Sequence, residues 1–285
     1  IYKMDYSSML AAHAASGAEC TVGCIEVPRK DASAFGVMAV DASGRITDFL
    51  EKPANPPGMP GKPETTLASM GIYIFNATFL YKELERDLAD AASNHDFGKD
   101  IIPHVVKLGL AVAHPFNESC VVEPGGEAYW RNVGTIVAFF DNNMAITETE
   151  PALNMYDKNW PIWTYQQQLA PAKFVLDENE RRGAAVQSLV SGGCIVSGST
   201  IFRSLLFSNC RIHSYCNVDG AVLLPDVEVH RHARLSKVVV DRGCVIPSGL
   251  VIGEDPEEDA RRFYRSEQGV TLVTKDMLAQ LADRK

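Results

Sequence analysis

The chain has 285 residues, enough for one large or two medium domains; 46% are hydrophobic and 22% charged, with 27 Lys and Arg against 36 Asp and Glu for a formal charge of −9. Such apolar content excludes a disordered chain, and the acidic balance argues against a protein that grips a phosphate backbone. No apolar run approaches the roughly 18–20 residues that cross a bilayer and no signal-peptide pattern is present, so a membrane protein is not expected.

Residues 1–150 read as alternating helices and strands, an α/β pattern. Asp5 is placed to cap a helix that runs to Gly17, a residue suited to the left-handed turn that ends helices. Val22, Cys24, Ile25 and Val27 predict a strand that stops at Pro28. Two further strands, 35–40 and 46–51, flank the turn sequence Asp41-Ala42-Ser43-Gly44. After a loop rich in proline, 67–75 predicts a buried strand. Phe79, Leu80, Leu84 and Leu88 recur at helical spacing, and a second helix is expected over 100–108, with Pro103 in its first turn.

Residues 151–185 read as a connector, broken by Pro151, Pro161 and Pro171 and carrying Trp160, Trp163 and Tyr165. Such a segment is expected to pack across a domain boundary. From about 186 the period becomes six: Thr200, Leu206, Ile212, Val218 and Leu224 form one set, and Leu189, Ile195, Ile201 and Phe207 another. Val245/Ile246 and Val251/Ile252 repeat the interval. Helices give 3.6 and strands give 2, so a six-residue repeat with small residues between predicts a β-helix of three short strands per coil, in preference to a β-sandwich with accidental spacing. The tail returns to ordinary elements: a helix opening at Asp255-Pro256-Glu257-Glu258, a strand at 270–273 and a helix over 275–281. The domains expected are therefore 1–150, the connector 151–185 and the coil with its tail 186–285. The seven scattered cysteines form no CxxC pair, and buried thiols in a reducing cytosol are the expectation.

Four segments carry possible chemistry. Phe49-Leu50-Glu51-Lys52-Pro53 ends a strand with an acid, a base and a proline. A strand tip is where ligands of α/β domains gather, and an ammonium is a point charge suited to a phosphate dianion; a solvated Glu–Lys pair has the same spacing. The small residues of Ala68-Ser69-Met70-Gly71-Ile72-Tyr73 would let a ligand approach the backbone or would pack tightly in a core. In the loop 94–100, Asp96 is a candidate for hydroxyl binding and Asp100 for a helix cap. Tyr129-Trp130-Arg131-Asn132-Val133-Gly134-Thr135 offers a ligand wall or a core anchor.

Order and wording together carry more than any one segment. IYKMDY at the start, FLEKP, ASMGIYIF, DFGKDIIP, YWRNVGT, MYDKNWPIWTY, SGGCIVSGS and DARRFYRSEQG resemble the bacterial glucose-1-phosphate adenylyltransferases over nearly the whole chain. The resemblance implies a Rossmann-like nucleotidyltransferase domain followed by a left-handed parallel β-helix, in a cytoplasmic homotetramer. The reaction it implies joins ATP and α-D-glucose 1-phosphate into ADP-glucose and pyrophosphate for glycogen synthesis, with Mg2+ as cofactor. It further implies that Lys52 binds the sugar phosphate, that Glu51, Ser69, Tyr73 and Asp96 line the glucose pocket, and that Trp130 stands nearby.

Three departures accompany the resemblance. The family's glycine-rich nucleotide loop and one metal-binding aspartate lie upstream of IYKMDY, so a longer protein whose start is missing, and an inactive fragment, are expected. Asn132 stands where the family usually has its second metal-binding aspartate. For the phosphorylated-sugar or nucleotide effectors, Arg242 matches one family position and Lys275 replaces an arginine at another; a solvated surface charge reads as well for both. Rival readings are a non-catalytic regulatory or structural subunit of the same architecture, a β-helix acyltransferase using His213, His230 or His232, and a relative using another nucleotide.

Overall fold

A computed structural model describes residues 1–122, 126–175 and 181–283, which divide into two compact units, one of residues 2–129 and one of Ile1 with 130–285. In the first unit, Asp5 accepts from Ser7 N–H at the start of helix α1 (Tyr6–Ser16), which ends at Gly17 with φ 65°. A five-stranded sheet follows, from β1 (Cys20–Pro28), β2 (Gly36–Val40), β3 (Ile46–Glu51), β4 (Thr65–Phe75) and β5 (Ala111–Pro115), in the order β3-β2-β4-β1-β5. Only β1 and β5 run parallel among these neighbours. Cys20, Val22, Met38, Phe49 and Leu67 from the sheet close on Ile101, Ile102, Val105 and Val106 to make the core.

Two helices depart from expectation. Helix α2 (Ala77–Leu88) has the anticipated period, but Leu84 and Leu88 are exposed while Glu83 and Asp87 are buried. Both acids are paired, Glu83 with Arg86 and His104 and Asp87 with Ser93 and His95, and pairing is what lets a carboxylate stay inside. Helix α3 (Ile102–Lys107) starts two residues later than expected, because Phe97–Ile101 form a wider π turn whose first N–H groups Asp96, not Asp100, caps.

The second unit opens with helix α4 (Ile136–Ala145), capped by Thr135. Trp163 and Tyr165 stand 90% and 88% exposed, so these two aromatics of the expected connector are not held in a core. Parallel strands begin at Lys173–Val175 and stack on three faces.

The repeat is parallel and coiled as expected, but its count is not a constant six. Arg211 pairs with Glu228 and Glu228 with Val245, 17 residues on each time. The buried inward series is Ile201, Leu206, Ile212, Val218, Leu223, Val229, Leu235, Val240, Ile246 and Ile252, so one of every three steps is five rather than six. Thr200, Ile195, Val245 and Leu224 are therefore not in the interior series. Phe207 and Leu224 instead face outward, where they pack with Phe140 of α4 against Val222 and Val239. The short step falls at a corner whose residues, Gln187, Arg203, Gly220 and Lys237, all have positive φ and turn the chain tightly. Each inward aliphatic side chain contributes roughly 1.5–3 kcal/mol on burial, which offsets the left-handed backbone at such corners. Helices α5 (Pro256–Arg262) and α6 (Lys275–Asp283) follow, and Phe263, Met277, Leu278 and Leu281 pack against this core. No described helix is long and apolar enough to cross a membrane.

All seven cysteines are unpaired, six of them buried. Burial pushes the Cys20 and Cys24 thiols up to about 12, so they behave as small apolar groups.

Candidate active site

Strand β3 delivers its last residue, Glu51, and then Lys52 to one edge of the sheet. Lys52 keeps the ladder going, donating its N–H to Phe35 O at 3.0 Å, yet adopts φ 47°, a conformation side-chain-bearing residues seldom take. The Lys52 Nζ lies 3.5 Å from Glu51 Oε1, with the lysine side chain 63% exposed. An ion pair that open is worth at most about 1 kcal/mol, so the ammonium is not consumed by structure.

Glu51 points its other oxygen toward the loop before α3. A Cβ built on Gly98 would sit 2.6 Å from Glu51 Oε2 and 3.3 Å from Asp96 Oδ1, and one on Gly36 would sit 2.8 Å from the same Glu51 oxygen. The two carboxylates therefore converge over glycine backbone. Gly98→Ala is expected to push Glu51 aside and weaken binding of any ligand that the two carboxylates hold several-fold without lowering the melting temperature; calorimetric titration beside a melting curve reads both.

Ser69 and Tyr73 reach this cluster through a break in β4. Val22 pairs with Tyr73 but Cys24 pairs with Ser69, so Gly23 alone faces three residues of β4. In a regular strand, residues four apart are separated by about 13 Å. Here the surplus bulges out at Gly71, whose φ is 70°, and Ser69 Oγ comes within 3.4 Å of the Tyr73 hydroxyl. Burial raises the Tyr73 pKa above its ordinary value, and the Glu51 and Asp96 charges add to the effect. The phenol is thus a protonated donor among acceptors. Its ring stacks on Phe97 at 6.0 Å.

Asp96 is held by a set of groups of which sequence reasoning singled out Asp100 alone. Asp87, 4% exposed on α2, accepts from Ser93 Oγ at 2.7 Å and meets His95 Nδ1 at 2.9 Å. Ser93 Oγ in turn accepts the His95 N–H, and Asp100 accepts the N–H groups of Asn94 and Asp96. The Ser93 and His95 bonds hold the Asp87 carboxyl below its usual range, so this anchorage persists above the ordinary carboxylate pKa and fails as pH falls through the lowered one. An acid nine residues before a candidate aspartate, on a helix of polar outline, was the available signal.

The remaining candidates lie in the other unit. Trp130 is half-buried just before α4. Asn132 Oδ1 accepts the Gly134 N–H at 2.9 Å, a turn that leads into the Thr135 cap. The residues present do not fit a magnesium centre: Asn132 offers one neutral oxygen, already bonded, and among the described residues the one convergence of three His, Cys, Asp or Glu donors is at His213, Glu228 and His230. Lys275 reaches the corner of the coil that carries Arg242, since a Cβ on Gly243, the next residue in the chain, would lie 2.9 Å from Lys275 Nζ. A cavity of about 850 Å³ in the first unit, lined by Thr21, Glu26, Met59, His114 and Glu118 among others, has none of the candidate residues in its lining.

Comparison with known proteins covers both units. The nucleotidyl transferase family matches residues 1–149, and the GlmU-like, C-terminal hexapeptide family matches 170–273. A glucose-1-phosphate adenylyltransferase of Paraburkholderia phytofirmans is 59% identical over 281 residues, covering 98% of this chain and 67% of that protein. With a mixed sheet carrying a polar cluster at its edge and a hexapeptide coil behind it in sequence, the chain belongs to the glucose-1-phosphate adenylyltransferases, within the nucleotidyl transferase family.

Proposed function

We propose that this chain supplies the sugar-phosphate side of an enzyme that makes ADP-glucose and pyrophosphate from ATP and α-D-glucose 1-phosphate for glycogen synthesis. The observation that carries the reading is the convergence of Lys52, Glu51, Ser69, Tyr73 and Asp96 within one unit, from three separate stretches of chain. Lys52 neutralises the sugar phosphate. Glu51 and Asp96 accept hydrogen bonds from glucose hydroxyls, while Ser69 and Tyr73 donate.

The chemistry asks little of acid–base catalysis. The attacking phosphate oxygen is already ionised at neutral pH, so no general base is needed. Rate comes from aligning two anions and offsetting the charge that grows on the leaving pyrophosphate. The phosphate held by Lys52 is one of those anions. The family's Mg2+ would supply the other part of that neutralisation when bound, and Asn132 alone does not make its site. In an enzyme carrying its nucleotide-binding region, Asn132→Asp is expected to lower the Mg2+ concentration needed for half-maximal rate; an unchanged Mg2+ profile means that position 132 is not a ligand.

The same neutral Asn132 favours the second reading, a regulatory subunit that binds but does not turn over. Calorimetry on this chain tests the binding half: glucose 1-phosphate should bind and glucose 6-phosphate should not, and equal affinities would sink the assignment. Pyrophosphate release with ATP and Mg2+, from an enzyme that also carries its nucleotide-binding region, separates catalyst from subunit.

Phosphorylated effectors are assigned to the Arg242–Lys275 corner, in a homotetramer. Arg242→Ala is expected to reduce activation by such effectors more than the basal rate, and equal losses would count against the assignment.

A further inference from the structure

We propose that His213, Glu228 and His230 form a binding site for a divalent transition-metal ion of the zinc type on the outer face of the parallel coil. His213 Nε2 lies 2.6 Å from Glu228 Oε1, His230 Nε2 lies 3.7 Å from the same oxygen, and all three donor atoms fall within 4.8 Å of one another. A zinc ion with bonds of about 2.0–2.2 Å sets its donors roughly 3.3 Å apart, between the spacings seen here. Small rotations of two partly exposed imidazoles suffice to close on it.

The repeat itself builds the cluster. Arg211 pairs with Glu228 and Ile212 with Val229, so His213 and His230 occupy equivalent positions on successive coils. Glu228 and His230 flank inward Val229 and so share the outward face. The backbone is clamped, His213 N–H donating to Val229 O and His230 N–H to Ile246 O, both near 3.0 Å or shorter. The imidazole rings sit 5.0 Å apart between centroids. Three donors therefore stand on a scaffold that pays little ordering entropy on binding. Side-chain exposures of 29%, 36% and 43% leave the remaining coordination position open to water. Along the register the donors stop at Ser197 on one side and Pro247 on the other.

Donor chemistry sets the class of ion. Two imidazoles and one carboxylate suit Zn2+, Co2+ or Ni2+, whereas Mg2+ prefers a set of oxygens. Arg211, in register with Glu228 on the adjoining coil, is the opposing charge, and its removal should strengthen cation binding.

The test uses the full chain, stripped of metal, with Cys120→Ser to remove the half-exposed thiol. Titration with Zn2+ by calorimetry and with Co2+ by visible absorption is expected to show one saturable equivalent of micromolar affinity near neutral pH. His213→Asn and His230→Asn should each weaken it by more than about tenfold, while circular dichroism stays unchanged. Arg211→Ala should tighten it, which a merely unfolded variant cannot do. Absence of a saturable equivalent, or one that survives both histidine changes, overturns the proposal.

Discussion

Lys52→Ala is expected to weaken glucose 1-phosphate binding about a hundredfold, close to 2.7 kcal/mol, the scale of a charge-assisted bond to a phosphate. The fold should be untouched, since the side chain is 63% exposed and its partner Glu51 is 3.5 Å away. Lys52→Arg retains the charge on a broader, planar head and should recover part of the affinity, not all of it. The contrast between glucose 1-phosphate and free glucose is the decisive readout. Loss of affinity for the phosphorylated sugar alone assigns Lys52 to the phosphate; equal loss for both assigns it to the pocket's shape; no loss removes it from the site.

Gly253→Ala is expected to cost about 3 kcal/mol or more and to lower the melting temperature by several degrees. Gly253 has φ 94°, and a Cβ there would collide with the Ser236 carbonyl, backbone that has nowhere to retreat. Its N–H also donates to Asp259 Oδ2 at 2.7 Å, and Asp259, 1% exposed, pairs with Arg262. The glycine therefore joins the last rung to α5. Hydrogen exchange should rise first over 251–262, and an unchanged melting curve would show that the corner relaxes more freely than its contacts suggest.

What the sequence revealed depended on how local the cause was. Caps were legible because Asp5, Asp255 and Gly17 act on their own neighbours. The coil was legible as a period, but the five-residue step was not, since it follows from backbone at Arg203 and Lys237 that composition does not announce. Leu84 and Leu88 misled for the opposite reason: the helical period was real, and the buried face was decided by Glu83 and Asp87 finding polar partners at Arg86, Ser93, His95 and His104. Among the site candidates, Glu51 and Lys52 could be picked as neighbours in a strand tip. That Ser69 and Tyr73 meet required knowing where β1 and β4 lose register, a fact about two strands at once. Asp87 escaped notice because it touches no candidate ligand position and works through Ser93 and His95.

The stacking interval also sets a rule for changing the molecule's length. Between Thr200 and Val251, equivalent residues recur at 17, so a single added residue would throw every later side chain out of alignment with the one beneath it. From Val238 to Thr271 the interval is 33, and the surplus is spooled out as α5 and a short antiparallel strand pair before the chain rejoins the stack. Tags, loops or reporter peptides should be accepted in that excursion, whereas elsewhere the stack should grow or shrink only by whole turns.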